Sequence, residues 1–189
     1  MSEDAVEDRR VARTRTALTQ AFMGLVAERE YDTITISDVI EKADVGRSTF
    51  YQHYSNKDDI LTAVMDGGFE ALADIVSAGP HTQFLEDWLG IFWTNRRAGR
   101  VLLSGGSTRA YISRELAERL AERLAMIEQR SGRRAPAALK LVSAMIAESQ
   151  LGLIQAWIAA QTAASPEQLS QTLRLAAQGL TATLYGRDA

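Results

Sequence analysis

Between Arg47 and His53 the chain places a guanidinium, two hydroxyls, a phenol, an amide and an imidazole in one short run, with no carboxylate among them. Val45, Phe50 and Tyr54 can hold one side of that run against neighbours, which leaves Arg47, Ser48, Thr49, Tyr51, Gln52 and His53 to face outward. Such a face suits a duplex groove, whose floor presents hydrogen-bonding base edges and thymine methyls and whose walls are phosphates. Gly46, just ahead, brings no side chain, so the first N–H groups of the next turn stay open to a phosphate. Lys57 stands where another helix begins, a second anion-attracting terminus.

Other chemistry has little to work with. The histidines are His53, in the run above, and His81, just after Pro80, and a hydrolytic triad needs a base near its nucleophile. The absence of cysteine removes disulfides, thiolate metal sites and cysteine nucleophiles together. No paired His with a carboxylate at ligand spacing and no Gly-rich phosphate loop is present, and Gly105 with Gly106 reads as a break between helices. No catalytic residue, metal ligand or cofactor is expected, and an enzyme is disfavoured.

The elements that must position this run read as helices throughout. Proline is scarce, β-branched alternation is missing, and apolar residues return every three or four positions, so the chain is expected to be all-α. A first stripe of Val11, Leu18, Phe22, Leu25 and Val26 ends near Arg29, with Tyr31 and Asp32 in a turn. Thr35 stands before Ile36, Val39, Ile40 and Ala43, with Asp38 three residues on, a capping box with Asp in place of Glu. The second helix therefore starts near Ile36 and stops before the turn Asp44, Val45, Gly46. The third runs from Arg47 to about Gln52. Ser55 and Asn56 precede Lys57, Asp58, Asp59 and the apolar Ile60, Leu61, Val64 and Met65, an N-cap and acidic first turn opening an amphipathic helix. It continues through Phe69, Leu72 and Val76 with a bend at Gly67 and Gly68, and Ser77 to Pro80 end it. Helical segments follow at about 81–95, on to 103, 108–130, 136–161 and 166–185.

The run from Tyr31 to Leu61, YDTITISDVIEKADVGRSTFYQHYSNKDDIL, resembles the DNA-binding domain of the TetR family of bacterial transcriptional regulators. The resemblance rests on Thr35, on Thr49, Phe50, Tyr51, His53 and Tyr54, and on Lys57, and extends over about Arg10 to Leu61. Gly46 stands where the family often has Ser, and Asp44 where it usually has Gly; Asp tolerates the left-handed conformation such a turn needs. By position, the resemblance implies that Arg47, Ser48 and Thr49 face bases, that Tyr51 and His53 face phosphates or bases, and that Thr35 and Lys57 hold the DNA backbone. Gln52 joins the outward set. It further implies a larger C-terminal domain that dimerises and binds a small molecule. The protein would then be a ligand-responsive regulator, a repressor, binding an inverted-repeat operator as a homodimer. The expected organisation is a flexible N-terminus over 1–8, a helix-turn-helix domain over 9–57, and a ligand-binding and dimerisation domain over 58–189, joined by a helix over 57–78.

A formal net charge of −3 argues at first against nucleic acid, yet Arg9, Arg10, Arg13 and Arg15 cluster near the start while Glu115, Glu118, Glu122 and Glu148 lie far from them. The arginine cluster reads equally as a solvated helix start or as an arm for phosphate or minor groove. An apolar share of 46% and a charged share of 24% are those of a soluble globular chain. No run approaches about 18 consecutive apolar residues, and MSEDAVEDRR is unlike a signal peptide, so a cytoplasmic protein with no membrane partner is expected.

Beyond residue 80 the signals are stripes. Leu169, Leu173, Ala176, Leu180 and Leu184 form one apolar line, with Gly179 and Thr183 beside it. The preceding helix carries Leu139, Val142, Ile146 and Leu153 on one side and Leu151, Ile154 and Ile158 on another. Two apolar sides suggest packing both inward and against a second copy, as in a four-helix interface. Trp88, Phe92, Trp93, Met126, Met145 and Trp157 are either ordinary core or the lining of a pocket for a largely apolar or aromatic effector. Glu148, Ser149 and Gln150 interrupt a helix that should be buried, and either orient a ligand or lie at the surface. A helical interaction or small-molecule-binding module without DNA contact is the rival reading. It would leave Arg47, Thr49, Tyr51 and His53 with no reason to share one exposed helix.

Overall fold

The computed structural model describes residues 3–77, 82–104 and 106–185. Among these there are nine α-helices, one short 3-10 turn and no strand. The chain divides into two compact units, Met1–Asp66 and Gly67–Ala189. The division falls inside a helix, nine residues beyond the expected boundary after residue 57.

The first unit holds α1 (Glu3–Glu28), the 3-10 turn Tyr31–Thr33, α2 (Ile36–Ala43), α3 (Arg47–His53) and the opening turns of α4 (Lys57–Asp74). No proline or glycine interrupts the sequence from Glu3 to Met23, and α1 accordingly begins at Glu3, so that residues 3–8, expected to be flexible, are helical; Met1 and Ser2 lie outside the described residues. Leu18, Phe22, Leu25 and Val26 share one side of α1 and are buried, as are Val39, Phe50, Tyr54, Ile60 and Leu61. Val11, two turns before Leu18 on the same side of α1, is exposed. Asn56 Oδ1 accepts the Asp59 N–H at 2.9 Å while Asp59 Oδ2 accepts the Ser55 N–H at 2.8 Å, the expected cap of α4.

The second unit holds the rest of α4, α5 (Thr82–Thr94), α6 (Arg96–Ser104), α7 (Gly106–Ser131), α8 (Leu139–Ile158) and α9 (Pro166–Tyr185). Ile112, Leu116, Leu120, Leu124 and Ile127 make one buried stripe along α7, which packs against α6, α8 and α9. The end of α4 is fastened by polar groups from three helices. Arg119 Nε and Arg123 Nη2 donate to the Glu70 carboxylate at 3.0 and 2.6 Å, and Arg123 Nε donates to Asp74 Oδ1 at 2.7 Å. Gln150 Nε2 donates to the Leu72 carbonyl in the last turn at 3.0 Å, where the helix has no further N–H to offer, and Gln178 Nε2 donates to the Ser77 carbonyl just beyond the helix at 3.3 Å. The helix stops at Asp74, short of the expected residue 78, which lies outside the described residues.

The aromatic residues of this unit pair off. Trp88 and Phe92 stack with ring centroids 4.9 Å apart, and Trp93 lies against Trp157 at 4.7 Å. A Cβ on Gly68 would sit 2.2 Å from the Trp88 ring, and one on Gly99 2.9 Å from Phe92, so bare backbone on α4 and α6 makes room for the first pair. Trp157 donates its indole N–H to the Ala164 carbonyl at 2.8 Å. Met126 and Met145, grouped with these rings from the sequence, are instead exposed, because neither belongs to the buried stripe of its helix.

The stripes expected to meet a second copy also need correction. Leu151, Ile154, Ile158, Leu169 and Leu173 are buried within the chain's own second unit and have no surface left to offer. On α9 the buried line continues through Ala177, Thr181 and Tyr185, and Ala176, Leu180 and Leu184 stand one position round from it with more surface. The apolar side chains that α8 and α9 do expose are Leu141 (65%), Met145 (46%) and Leu175 (57%). Of the interrupting polar residues, Glu148 accepts from Arg109 at 2.7 Å and from the Ser113 hydroxyl, which holds its carboxyl below the ordinary range; Ser149 is exposed and Gln150 is buried. Among the described residues α8 is long and apolar enough to cross a membrane, with mean hydropathy 1.3, but half of that stretch is buried inside the unit, as in a core helix.

Candidate nucleic-acid interface

The outward face of α3 is set by what happens at either end of it. At α2 the expected capping box is present: Thr35 Oγ1 accepts the Asp38 N–H at 3.2 Å, and Asp38 Oδ2 accepts the Thr35 N–H at 2.7 Å. Those hydrogen bonds, with Arg29 Nη2 at 3.0 Å from Asp38, hold the Asp38 carboxyl down at about 2. Asp44 follows α2 in the left-handed conformation, φ 52° and ψ 50°. Its N–H donates to the Glu41 carbonyl, and the Val45 N–H reaches back to Ile40, the paired bonds that close a helix and turn the chain sharply. Gly46 then serves as the N-cap of α3 with no side-chain bond, while Phe50 is fully buried and Tyr54 nearly so.

With Phe50 fixed inward, helical periodicity turns the rest outward. Arg47, Ser48, Tyr51 and Gln52 are exposed, Tyr51 by 49%, and Thr49 and His53 are half-buried. The side chains of Arg47, Ser48, Thr49 and Gln52 make no hydrogen bond or ion pair among the described residues. Tyr51 leans edge-on against Phe50 at 5.2 Å, which orients the phenol without covering it. The result is a short helix end with open N–H groups and donors on its free side.

Two expected members of the site have other partners. Lys57 Nζ donates to the Tyr31 and Ile34 carbonyls at 2.9 and 3.3 Å and lies 4.3 Å from the centre of the Tyr31 ring, whose hydroxyl donates to Asp58. The ammonium therefore fastens the turn between α1 and α2, and what the start of α4 can offer a phosphate is its backbone N–H groups. The Thr35 hydroxyl is likewise engaged by Asp38, to which it donates at 2.7 Å.

A feature not assigned from the sequence adjoins α3. Arg10, Val11, Thr14 and Arg15 of α1 and Thr49, Gln52 and His53 of α3 line an open cleft of about 830 Å³. The i, i+4 spacings of Arg10 with Thr14 and of Val11 with Arg15 were the available signal.

Residues 18–64, which contain α2, α3 and their capping, match the family described as bacterial regulatory proteins, tetR family. Over 68 residues the chain is 44% identical to the uncharacterized HTH-type transcriptional regulator YxbF of Bacillus subtilis, a match covering 35% of the chain. Over 59 residues, 31% of the chain, it is 29% identical to the HTH-type dhaKLM operon transcriptional activator DhaS of Lactococcus lactis. These matches span 18% and 32% of the two relatives' own lengths. The family and both relatives are described as regulators of transcription, not as enzymes.

The similarity of fold reaches further than that of sequence. A TetR transcriptional regulator from Streptococcus agalactiae superposes with a TM-score of 0.55 at 24% identity, over 93% of this chain and 99% of the other. A TetR-family regulator from Syntrophomonas wolfei gives 0.58 at 17% identity, over 89% and 94%. The all-helical architecture, with a helix-turn-helix in the N-terminal residues that match the family model, is the fold of these solved structures.

Proposed function

We propose that this chain regulates transcription in the cytoplasm by binding an inverted-repeat operator as a homodimer, each copy inserting α3 into a major groove. The observation that carries this is the free side of α3, where Arg47, Ser48, Thr49, Tyr51 and Gln52 supply donors and methyl groups and no acid. Arg47 can address guanine, Gln52 adenine, and Thr49 a thymine methyl, the pairings that groove geometry favours. Thr35 and Lys57 act behind this face by fixing α2 and the turn ahead of it. Two recognition helices on one side of the duplex would lie about 34–36 Å apart or a multiple of that.

Pairing of two copies is supported by the exposed Leu141, Met145 and Leu175, with Ala176, Leu180 and Leu184 beside them, on helices with small residues that allow close approach. A small-molecule effector bound in the second unit would act through its differential affinity for the DNA-competent and incompetent arrangements. The reading includes repression relieved by that molecule; the relative DhaS is described as an activator, so a reporter assay decides the sign.

Selection of bound duplexes from a random pool, with and without candidate ligands, tests the proposal. Enrichment of one inverted repeat supports it. A pool with no common sequence would remove DNA recognition and leave a helical interaction module.

A further inference from the structure

α5 and α6 follow one another with only Asn95 between them. The Asn95 N–H donates to the Ile91 carbonyl and the Gly99 N–H to the Asn95 carbonyl, each at 3.1 Å. Each helix buries one side, α5 through Leu85, Leu89 and Phe92 and α6 through Ala98, Leu102 and Leu103. What they leave at the surface is sorted by charge. Ahead of Ile91 stand Glu86 and Asp87, which line an open cleft of about 460 Å³ together with Ile91, Thr94 and, from α9, Glu167. Beyond Ile91 stand Arg96, Arg97 and Arg100, all exposed. Ile91 itself, between the two groups, is 63% exposed.

These charges are not used inside the chain. Glu86, Asp87, Arg96, Arg97 and Arg100 form no ion pair among the described residues, whereas Arg109 meets Glu148 in the same unit, and Arg119 and Arg123 meet Glu70. Nor do the acids gather round a metal ion, since no group of three or more among the described residues could hold one. The cation that suits them is one carried on a side chain. The charges nearest Ile91 are steadied by their own helices: Asp87 accepts from the Gln83 amide at 3.0 Å, and Arg96 lies 5.3 Å from the centre of the Trp93 ring.

A strip that is acidic at one end, apolar in the middle and basic at the other is complementary to a second such strip running the opposite way. In a two-fold contact each group meets its complement twice, once from either copy. The order in sequence suits this: Glu86 and Asp87 stand five and four residues before Ile91, and Arg96 and Arg97 five and six after it. Pairing about Ile91 brings the acids of each copy to the arginines of the other and covers both Ile91 side chains, an apolar middle inside a charged rim. A Cβ on Gly90 would meet nothing within 4 Å, so no part of the chain overhangs that middle.

We propose that the strip formed by α5 and α6 is a self-complementary contact between two copies of this chain, in which the cleft beside α5 receives Arg96 and Arg97 of the second copy. Exposed ion pairs are individually weak, so charge here selects the partner and its direction more than it adds affinity. The strip is separate from the surface of α8 and α9 proposed above for pairing, and a chain that uses both assembles beyond a dimer.

The test is sedimentation velocity of the full chain over a concentration series. At low salt the parent is expected to show an association step that is lost at about 1 M salt, where charges are screened beyond about 3 Å. Glu86→Arg/Asp87→Arg and Arg96→Glu/Arg97→Glu each place like charges opposite one another, and each is expected to raise the concentration needed for that step by about tenfold or more. Joining all four substitutions in one chain restores opposite charges and is expected to return the step to near the parent's. A parent with no salt-sensitive step, reversed variants that associate as the parent does, or a fourfold variant as weak as either pair alone overturns the proposal. Circular dichroism checks folding. Should a reversed variant not fold, Glu86→Gln/Asp87→Asn and Arg96→Gln/Arg97→Gln are read instead: weaker association in both supports the contact, and association equal to the parent's in either overturns it.

Discussion

The N-terminal unit fixes an exposed face with bonds between close neighbours in sequence, and the C-terminal unit fixes an interior with bonds between distant ones. In the first, Thr35 with Asp38, the left-handed Asp44 and buried Phe50 determine which way α3 turns, all within twenty residues of one another. In the second, the end of α4 is held by Arg119 and Arg123, 49 residues further on, by Gln150 after 78 and by Gln178 after 101. Local bonds leave the outward residues of α3 free of structural duty, so they can be changed for the sake of what they touch. The groups that hold α4 have no such freedom. A variant on the α3 face should therefore alter recognition with little effect on folding, and one among the interior contacts should alter folding first.

The most severe test of the first half of that contrast is Phe50→Ala. Removing the one fully buried side chain of α3 should cost about 3–5 kcal/mol in urea denaturation of the chain, enough to release the helix. A cost near zero would mean that local caps alone hold α3. Gly68→Ala tests the second half, since its new Cβ would overlap the Trp88 ring; about 3 kcal/mol, the upper end of overpacking, is expected in the same experiment. Lys57→Met keeps the aliphatic stem and removes the donor from the Tyr31 and Ile34 carbonyls. It should cost about 2 kcal/mol of stability and leave the salt dependence of DNA binding unchanged. A flatter salt slope with unchanged stability would return Lys57 to the DNA.

The smallest expected effect is a pH dependence. The Asp38 carboxyl is held at about 2 by Thr35 and then Arg29, below its ordinary 3.8, so its ionised form favours the folded state. That contribution is complete above the ordinary value and disappears as pH falls from 3.8 toward 2. Asp38→Asn should make the fall in thermal midpoint across that window shallower, and a parallel curve would show that the capping box adds no acid sensitivity.

The same contrast explains how far the sequence could be read. The ends of α2 and α3, the capping box and the conformation of Asp44 were legible because each depends on residues within a few positions of one another. The intrachain partners of Lys57 were not legible for the opposite reason: they are carbonyls 23 and 26 residues earlier, which no local pattern reveals. On α9 a single choice of spacing, three residues rather than four after Leu173, moved the line from Ala177 to Ala176 and so from the interior to the surface. The bulky residues of the second unit were identified by size alone, and size does not say which side of a helix is buried; Met126 and Met145 face solvent while Trp157 is enclosed. The cleft beside α3 needed α1 and α3 to be brought together across more than thirty residues of chain, which no local pattern in either helix reveals.

The central claim is that the free side of α3 reads DNA, and Arg47 is the residue on which it turns most directly. Titration of the selected duplex with the parent chain and with Arg47→Ala, each checked for an unchanged melting midpoint, should show binding weaker by about 1–3 kcal/mol and a relaxed preference at one base pair. Equal affinity and equal preference in the two proteins would contradict the account.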